Sequence, residues 1–437
     1  MAYDIAIIGG GPGGYTAADE AAARGMSVVL FEADKLGGTC LNRGCIPTKA
    51  LLHETASGIC DAAELRARRD EVVGTLRDGV AKLMKSRKVE VVTGRASVVS
   101  AGHVSCDGKD YEAENIIIAC GSSPAVPPIE GADLPGVYTS DHLLEGDSPE
   151  LGSIVIVGGG VIGMEMALLY AQMGASVCVL EAAERILPPF DREIAQRVTM
   201  HAKKRGIVVE TGARVGRIAG EPGAMQVAFT DKKGAERVAE GAGVLIATGR
   251  KAATEGLFSA GAEPTLERGA IVVDEHGMSS IEGVYVIGDA RAHGVQLAHA
   301  AEAQARNVVA VIAGEKPPVD ELLIPSCVYL SPEVASVGLT EDDAKTFGLN
   351  VVCGKALTGA NGKSLIEGSE AGYAKLVFSA ETGAIFGAQL VCPRATDMIS
   401  ELSLAISLRA TAAQIASVVH PHPTVSEMIA EAARAAL

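Results

Sequence analysis

Two cysteines, Cys40 and Cys45, lie in the stretch GGTCLNRGCIPTK (37–49) with four residues between them. Thiols in such a pair can cycle between dithiol and disulfide, but only if the backbone cooperates. On an undistorted helix, positions five apart are separated by about 7.5 Å of rise, whereas a disulfide wants its Cα atoms within about 6.8 Å. Either these cysteines never pair, or the chain between them is bent, and Gly44 and Pro47 are the residues that permit a bend. A cysteine at a helix start has its thiolate stabilised by the helix dipole, which makes it reactive. The stretch reads as a redox-cycling pair, with two buried, unpaired cysteines as the alternative.

Such chemistry needs a partner that supplies or removes electrons, and the flanking elements offer two places for one. The N-terminus reads as strand 3–8, glycine-rich turn 9–14, helix 14–24 and strand 27–32. Gly9, Gly11 and Gly14 have G-x-G-x-x-G spacing, and Glu32 ends the second strand. The first glycine makes the turn, the second lets the backbone approach a pyrophosphate, and the third packs helix on strand. The acid then takes ribose hydroxyls. The unit recurs at 153–181 with Gly158, Gly160, Gly163 and Glu181, and first glycine and acid are 23 positions apart in both copies. Two dinucleotide units in one chain imply two cofactors, or a cofactor and a co-substrate.

Between the copies, residues 50–88 look helical, with a basic, solvated face. Strands follow at 89–93, 97–99, 103–106 and 116–122, and the Pro-rich segment 124–135 marks a boundary. Beyond the second copy come a strand near 206–210, a β-rich stretch, VLIATGR (244–250), VYVIGDA (284–290) and a helix at 296–313. From about 322 the pattern turns to antiparallel strands (326–339, 372–391) with helices at 395–409 and 411–417, which fits a separate α+β domain.

Bulk properties narrow the class. The 437 residues allow two to four domains, and 48% hydrophobic with 21% charged residues describes a globular chain. A net charge of −16 argues against nucleic acid or an anionic membrane as partner. The nearest approach to a membrane span, 151–171, is interrupted by Gly158-Gly159-Gly160 and carries Glu165. With nine cysteines in no scaffold pattern and no signal peptide apparent, the expected compartment is the reducing cytoplasm, where a disulfide is more often catalytic than structural.

From end to end the chain resembles the class I flavoprotein disulfide reductases, and within them most closely the branch that oxidises dihydrolipoamide. GGGPGGY, GGTCLNRGCIPTK, IVIVGGGVIGMEMA, VLIATGR, VYVIGDA, QLAHAA and VVHPHPTVSE carry the likeness. It implies an α/β fold with two Rossmann-like dinucleotide-binding domains, one for FAD and one for NAD, plus a C-terminal α+β dimerisation domain. The implied domains are 1–145 (FAD, first part), 146–268 (NAD), 269–320 (FAD/central, second part) and 321–437 (interface). Gly9, Gly11, Gly14 and Glu32 would serve FAD, with Thr39 and Lys49 beside the flavin. Asp289 would meet the ribityl chain, Gln296, Leu297, Ala298 and His299 the pyrimidine edge, and Ala96 and Gly121 would add backbone contacts. Gly158, Gly160, Gly163, Glu181 and Gly249 would serve NAD. A carboxylate at 181 also favours NAD physically, since it would repel a 2′-phosphate, and Ala182, Ala183 and Glu184 follow it, with Arg185 the one nearby cation.

The same resemblance makes Cys40 the thiol that exchanges with substrate and Cys45 the thiol that faces flavin. Exchange runs through thiolates, so a base must collect the proton. His422 is the candidate, with an ordinary pKa near 6.5, and Glu427 is its orienting carboxylate. Lys49 is expected to pair with Glu165, whose place in an apolar run is costly unless it is paired; a purely structural ion pair is the alternative. His420 and the remaining cysteines carry no expected role. The substrate would be lipoamide or a lipoylated carrier, and the family forms homodimers whose active site is shared between subunits. Two departures stand out: Cys120 replaces the usual Thr, and Arg43 adds a cation between the redox cysteines that should favour thiolate. Another NAD(P)H-dependent reductase (glutathione, CoA-disulfide or mercuric) and a docking subunit of a multienzyme complex are the competing readings. The glutathione and mercuric readings lack NADP-binding cations and a C-terminal cysteine centre, respectively.

Overall fold

Strand 3–8 carries Ile5, Ala6 and Ile7 with no solvent exposure, as expected for the middle of a parallel sheet covered on both faces. Around it the computed structural model, which describes residues 2–146 and 149–437, builds a seven-stranded sheet. Strand 3–8 pairs in parallel with 28–32 on one side and with 109–118 on the other, and 284–286 adds to the far side of 116–118. The helix Pro12–Ala23 places proline in its first turn, where a missing N–H costs nothing. The long helix Ala62–Ser86 is capped by Asp61, which accepts from Glu64 N at 2.9 Å.

The described chain divides into two compact units, one of Met1–Ala125, Thr139–Pro149 and Gly249–Glu321, the other of Val126–Tyr138, Glu150–Thr248 and Leu322–Leu437. In the second unit a five-stranded sheet of order 208–211, 176–181, 153–157, 243–246 and 137–139 repeats the parallel core. The β-rich stretch after it is an antiparallel meander, 214–221, 224–230 and 236–241. The C-terminal region is a five-stranded antiparallel sheet whose strand 373–379 is buried throughout, with Met398, Ile399, Leu402, Met428 and Ile429 packed into the same core. The α/β class with parallel nucleotide-binding sheets and a C-terminal α+β domain is therefore as expected.

Three local expectations shift. The strand expected at 116–122 runs 109–118 and stops where Ala119 N bonds to Ile8 O, so that 119–121 cross the end of the glycine loop. The helix expected from 296 begins at Ala298. Helix Arg192–Lys204 was not anticipated because its charged residues mask the apolar stripe of Ile194, Ala195, Val198 and Ala202. Asp191 caps that helix and also takes Lys375 Nζ at 2.7 Å, both side chains being buried. No described helix is long and apolar enough to cross a membrane.

Candidate active site

In the first glycine turn, the close approach explains the residue type: a Cβ on Gly14 would lie 1.8 Å from Gly9 O. On the open side, a Cβ on Gly11 would meet nothing nearer than Gly38 Cα at 3.8 Å, which leaves room for a pyrophosphate against the helix N-terminus. Glu32 is held from two sides, accepting from Gly10 N and Asp34 N at 2.8 Å each. The second copy reproduces the arrangement. A Cβ on Gly163 would sit 2.0 Å from Gly158 O, one on Gly160 would meet nothing within 4 Å, and Glu181 accepts from Gly159 N at 2.6 Å and Ala183 N at 2.7 Å. Both cradles thus fit a dinucleotide by shape and by their fixed acids.

The redox stretch leans directly on the first cradle. Gly37 N donates to Gly10 O at 2.8 Å, and Gly38 passes so close to Gly11 that a Cβ there would be 2.6 Å from its Cα. A short helix, Gly38–Arg43, breaks at Gly44, and a second helix, Cys45–Ala56, starts at once. The break is the bend that a bond between the cysteines would require, and a side chain at Gly44 would press on Thr39 O at 2.9 Å. Pro47 occupies the first turn of the second helix, where it is harmless.

Cys40 lies inside the first short helix, and it is Cys45 that opens the second. The Cys40 thiol is pushed strongly up, first by sharing a hydrogen bond with Cys45 and then by burial, while the Lys49 ammonium pulls it down. In the reduced state Cys40 therefore keeps its proton until a base takes it. Arg43, expected to favour thiolate, has its charge engaged by two carboxylates. Its guanidinium donates to Asp34 at 2.5 Å and Glu145 at 3.0 Å, and Lys35 pairs with Glu145 as well.

Three side chains that the sequence reading passed over hold this region. Asn42, buried between the cysteines, donates to Gly38 O at 2.9 Å and Leu36 O at 3.0 Å, which ties the turn shut. Ser122 donates to Asp289, and Arg250 donates to Ser122 Oγ at 2.7 Å and to its carbonyl at 2.8 Å. Asn42 could have been suspected from its place between the cysteines, and Arg250 from ending the TGR motif. Nothing local singles out Ser122. Cys120, beside Asp289, has its thiol pushed up to about 12 by burial and stays a thiol at neutral pH.

Among the other candidates, Thr39, Lys49, Ala96, Gly121, Asp289 and Gln296 to His299 all fall in the first unit, as does Gly249, whose carbonyl accepts from Ala125 N at 2.9 Å. Ala96 opens strand 96–100 and is buried. Gln296 is exposed, and His299 lies in the first turn of helix Ala298–Ile312. Gly158, Gly160, Gly163, Glu165, Glu181, His422 and Glu427 belong to the second unit. Glu165 is buried and accepts from Tyr329 N at 3.0 Å.

His422 and Glu427 do meet. The ring Nδ1 is 2.9 Å from Glu427 Oε1, and the other carboxylate oxygen accepts from Thr424 N at 2.9 Å. Those two bonds, the backbone one first, hold Glu427 below the usual carboxylate range. The imidazole is otherwise open, with its side chain 78% exposed. A base with a fixed carboxylate behind it and a free nitrogen in front can take and return a proton.

Comparison with known proteins agrees along the whole chain. Residues 3–305 match the pyridine nucleotide-disulphide oxidoreductase family, and 324–433 match its dimerisation domain. The chain is 40% identical to a dihydrolipoyl dehydrogenase of Bacillus subtilis, covering 99% of this chain and 98% of that one. It is equally similar, at 40%, to a dihydrolipoyl dehydrogenase of Chlorobaculum parvum, over 100% and 97%. Among solved structures, the HOCl-induced flavoprotein disulfide reductase RclA of Escherichia coli superposes with a TM-score of 0.91 at 29% identity, over 99% of each chain. A likeness that runs unbroken through both cradles, the cysteine turn and the C-terminal sheet is that of common membership, and the chain belongs to the pyridine nucleotide-disulphide oxidoreductase family.

Proposed function

We propose that this oxidoreductase is a dihydrolipoyl dehydrogenase, moving electrons reversibly between dihydrolipoamide and NAD. The observation that carries the reading is the cysteine turn seated on the first cradle, Gly38 against Gly11, in a chain 40% identical to dihydrolipoyl dehydrogenases over its full length. FAD bound at the first cradle would relay an electron pair between the dithiol and the nicotinamide of NAD at the second.

The chain's own residues do the rest. His422 takes a proton from a substrate thiol, and the resulting thiolate attacks Cys40 in the Cys40–Cys45 disulfide. A substrate–Cys40 bond forms as the Cys40–Cys45 bond breaks, and Cys45 leaves as thiolate. The second substrate thiol then displaces Cys40, closing the lipoyl disulfide and leaving the enzyme two electrons richer. Lys49 favours the charged sulfur. Gly9, Gly11, Gly14, Glu32, Thr39, Ala96, Gly121, Asp289 and residues 296–299 are the proposed FAD contacts. Gly158, Gly160, Gly163, Glu181 and Gly249 are those of NAD.

The match of 324–433 to the dimerisation domain supports a homodimer. In the proposed arrangement the His422 segment of each subunit serves the dithiol of the other, with a lipoylated carrier protein as substrate in the cytoplasm. The deciding assay gives the yellow, pure protein NADH with lipoamide, oxidised glutathione or CoA disulfide. Lipoamide turnover at least about tenfold above the others is expected, and a preference for either of the others overturns the reading.

A further inference from the structure

The HPHP segment holds two histidines, and only His422 has found a use. His420 differs from it in every physical respect. Its side chain is 7% exposed against 78% for His422. Its Nε2 lies 3.1 Å from Oε1 of Glu401, on helix Ala395–Ser407. A carboxylate only accepts, so Nε2 carries a hydrogen and donates. The other nitrogen, Nδ1, is shielded from solvent and meets no hydrogen-bond partner among the described residues. A buried imidazole with one nitrogen unmet is costly, and a surface turn has no need of it.

What this imidazole anchors is the base. From His420 the chain runs through Pro421 to His422. Thr424 then folds back, its hydroxyl donating to Pro421 O at 2.7 Å and its N–H to Glu427. At the far end Thr424 O accepts from Nδ2 of Asn361 at 3.0 Å, a side chain only 2% exposed. The exposed His422 ring is therefore slung between two polar anchors, His420–Glu401 before it and Asn361–Thr424 after it.

We propose that His420 and Glu401 form a positioning pair that fixes the segment carrying His422 and so sets where the base points. This rests on the reading of His422 as the base for dithiol exchange. The pair itself touches no reacting atom. Loss of the anchor lets the ring wander, and displacement of about 1 Å suffices to cost a large factor in rate.

The test uses the purified holoenzyme with two electron acceptors, lipoamide, which needs the dithiol and its base, and ferricyanide, which takes electrons from the flavin directly. His420→Leu removes the donor, His420→Gln keeps one, and Glu401→Gln removes the charge at the half-exposed end. Leu at 420 is expected to lower kcat with lipoamide by about tenfold or more, with KM and the ferricyanide rate within about twofold. Gln at 420 should restore most of the loss, and Glu401→Gln should lower lipoamide turnover alone. The proposal is overturned if lipoamide kcat is unchanged, if both acceptors lose rate equally, or if Gln at 420 is no better than Leu. Should Leu at 420 fail to fold, Glu401→Gln decides by the same two rates. A wild-type enzyme inert towards lipoamide would instead sink the proposed function.

Discussion

The two dinucleotide units are nearly the same object built twice. Each has a parallel strand, a glycine turn whose third glycine admits no side chain, and an acid fixed by two backbone N–H groups. They part just beyond the acid. In the first, the chain returns to the turn through Gly37, which bonds to Gly10 O at 2.8 Å, and goes straight into the cysteine helix. In the second, Leu187 makes the equivalent bond to Gly159 O at 2.9 Å, in a left-handed conformation (φ +49°) that is uncommon for leucine. No cysteine follows it; Asp191 and the helix Arg192–Lys204 come instead. The cradles are alike in shape, and the copies differ in what the chain builds after the acid: a cysteine turn in the first and a capped helix in the second.

The sharpest way to break that contrast is at the cysteines. Cys40→Ser should lower lipoamide turnover by more than about 10³-fold while NADH still reduces ferricyanide, because both cradles are untouched; retained lipoamide turnover would dissolve the distinction between the copies. Next in size are the third glycines, substituted one at a time. Gly14→Val should strip the yellow flavin. Gly163→Val should leave the protein yellow yet lower its reduction by NADH at least about 100-fold, as followed by flavin absorbance. An identical outcome from both would mean that the copies do not bind different molecules. Glu181→Ala removes the acceptor beside the second cradle and should raise KM for NADH by about tenfold with kcat nearly unchanged.

Smaller effects test the charged groups. The Glu427 pKa is lowered in the folded protein, so its contribution is fully present above the unfolded carboxylate pKa and fades as pH falls through the lowered value. The difference in unfolding midpoint between wild type and Glu427→Gln should hold steady from neutrality to about pH 5 and shrink only in stronger acid. A difference that stays constant through strong acid would show the carboxylate to be unperturbed. The smallest effect is expected from Arg43→Leu. Because that charge is engaged by Asp34 and Glu145, alkylation of Cys40 in the reduced enzyme should change by less than about twofold, and a larger drop would return Arg43 to the list of thiolate-stabilising groups.

Much of the candidate site was legible because it is local. Glycine spacing, a terminal acid, two cysteines about a possible bend and a His-Pro segment with a Glu five residues on are all constraints within a turn or two, where backbone sterics leave few solutions. The bend at Gly44 was one of two alternatives left by arithmetic on helix rise, the other being cysteines that never pair. The roles of helix Arg192–Lys204 and of strand 109–118 were harder to read, since charge hid the stripe of the one and alternation blurred the start of the other.

From the sequence alone one can read two glycine turns, each followed by a terminal acid, two cysteines about a possible bend, and a histidine and glutamate spaced to act together. What each part leans on is a matter of tertiary structure: Gly38 on Gly11, Arg43 on Glu145, Arg250 on Ser122 and through it Asp289, His420 on Glu401. These partners lie from 19 to 167 residues apart in the chain. No local rule reaches that far, because a charge or an imidazole reads the same in sequence whether its partner is water or a buried side chain. Desolvation on folding is what tells the two cases apart.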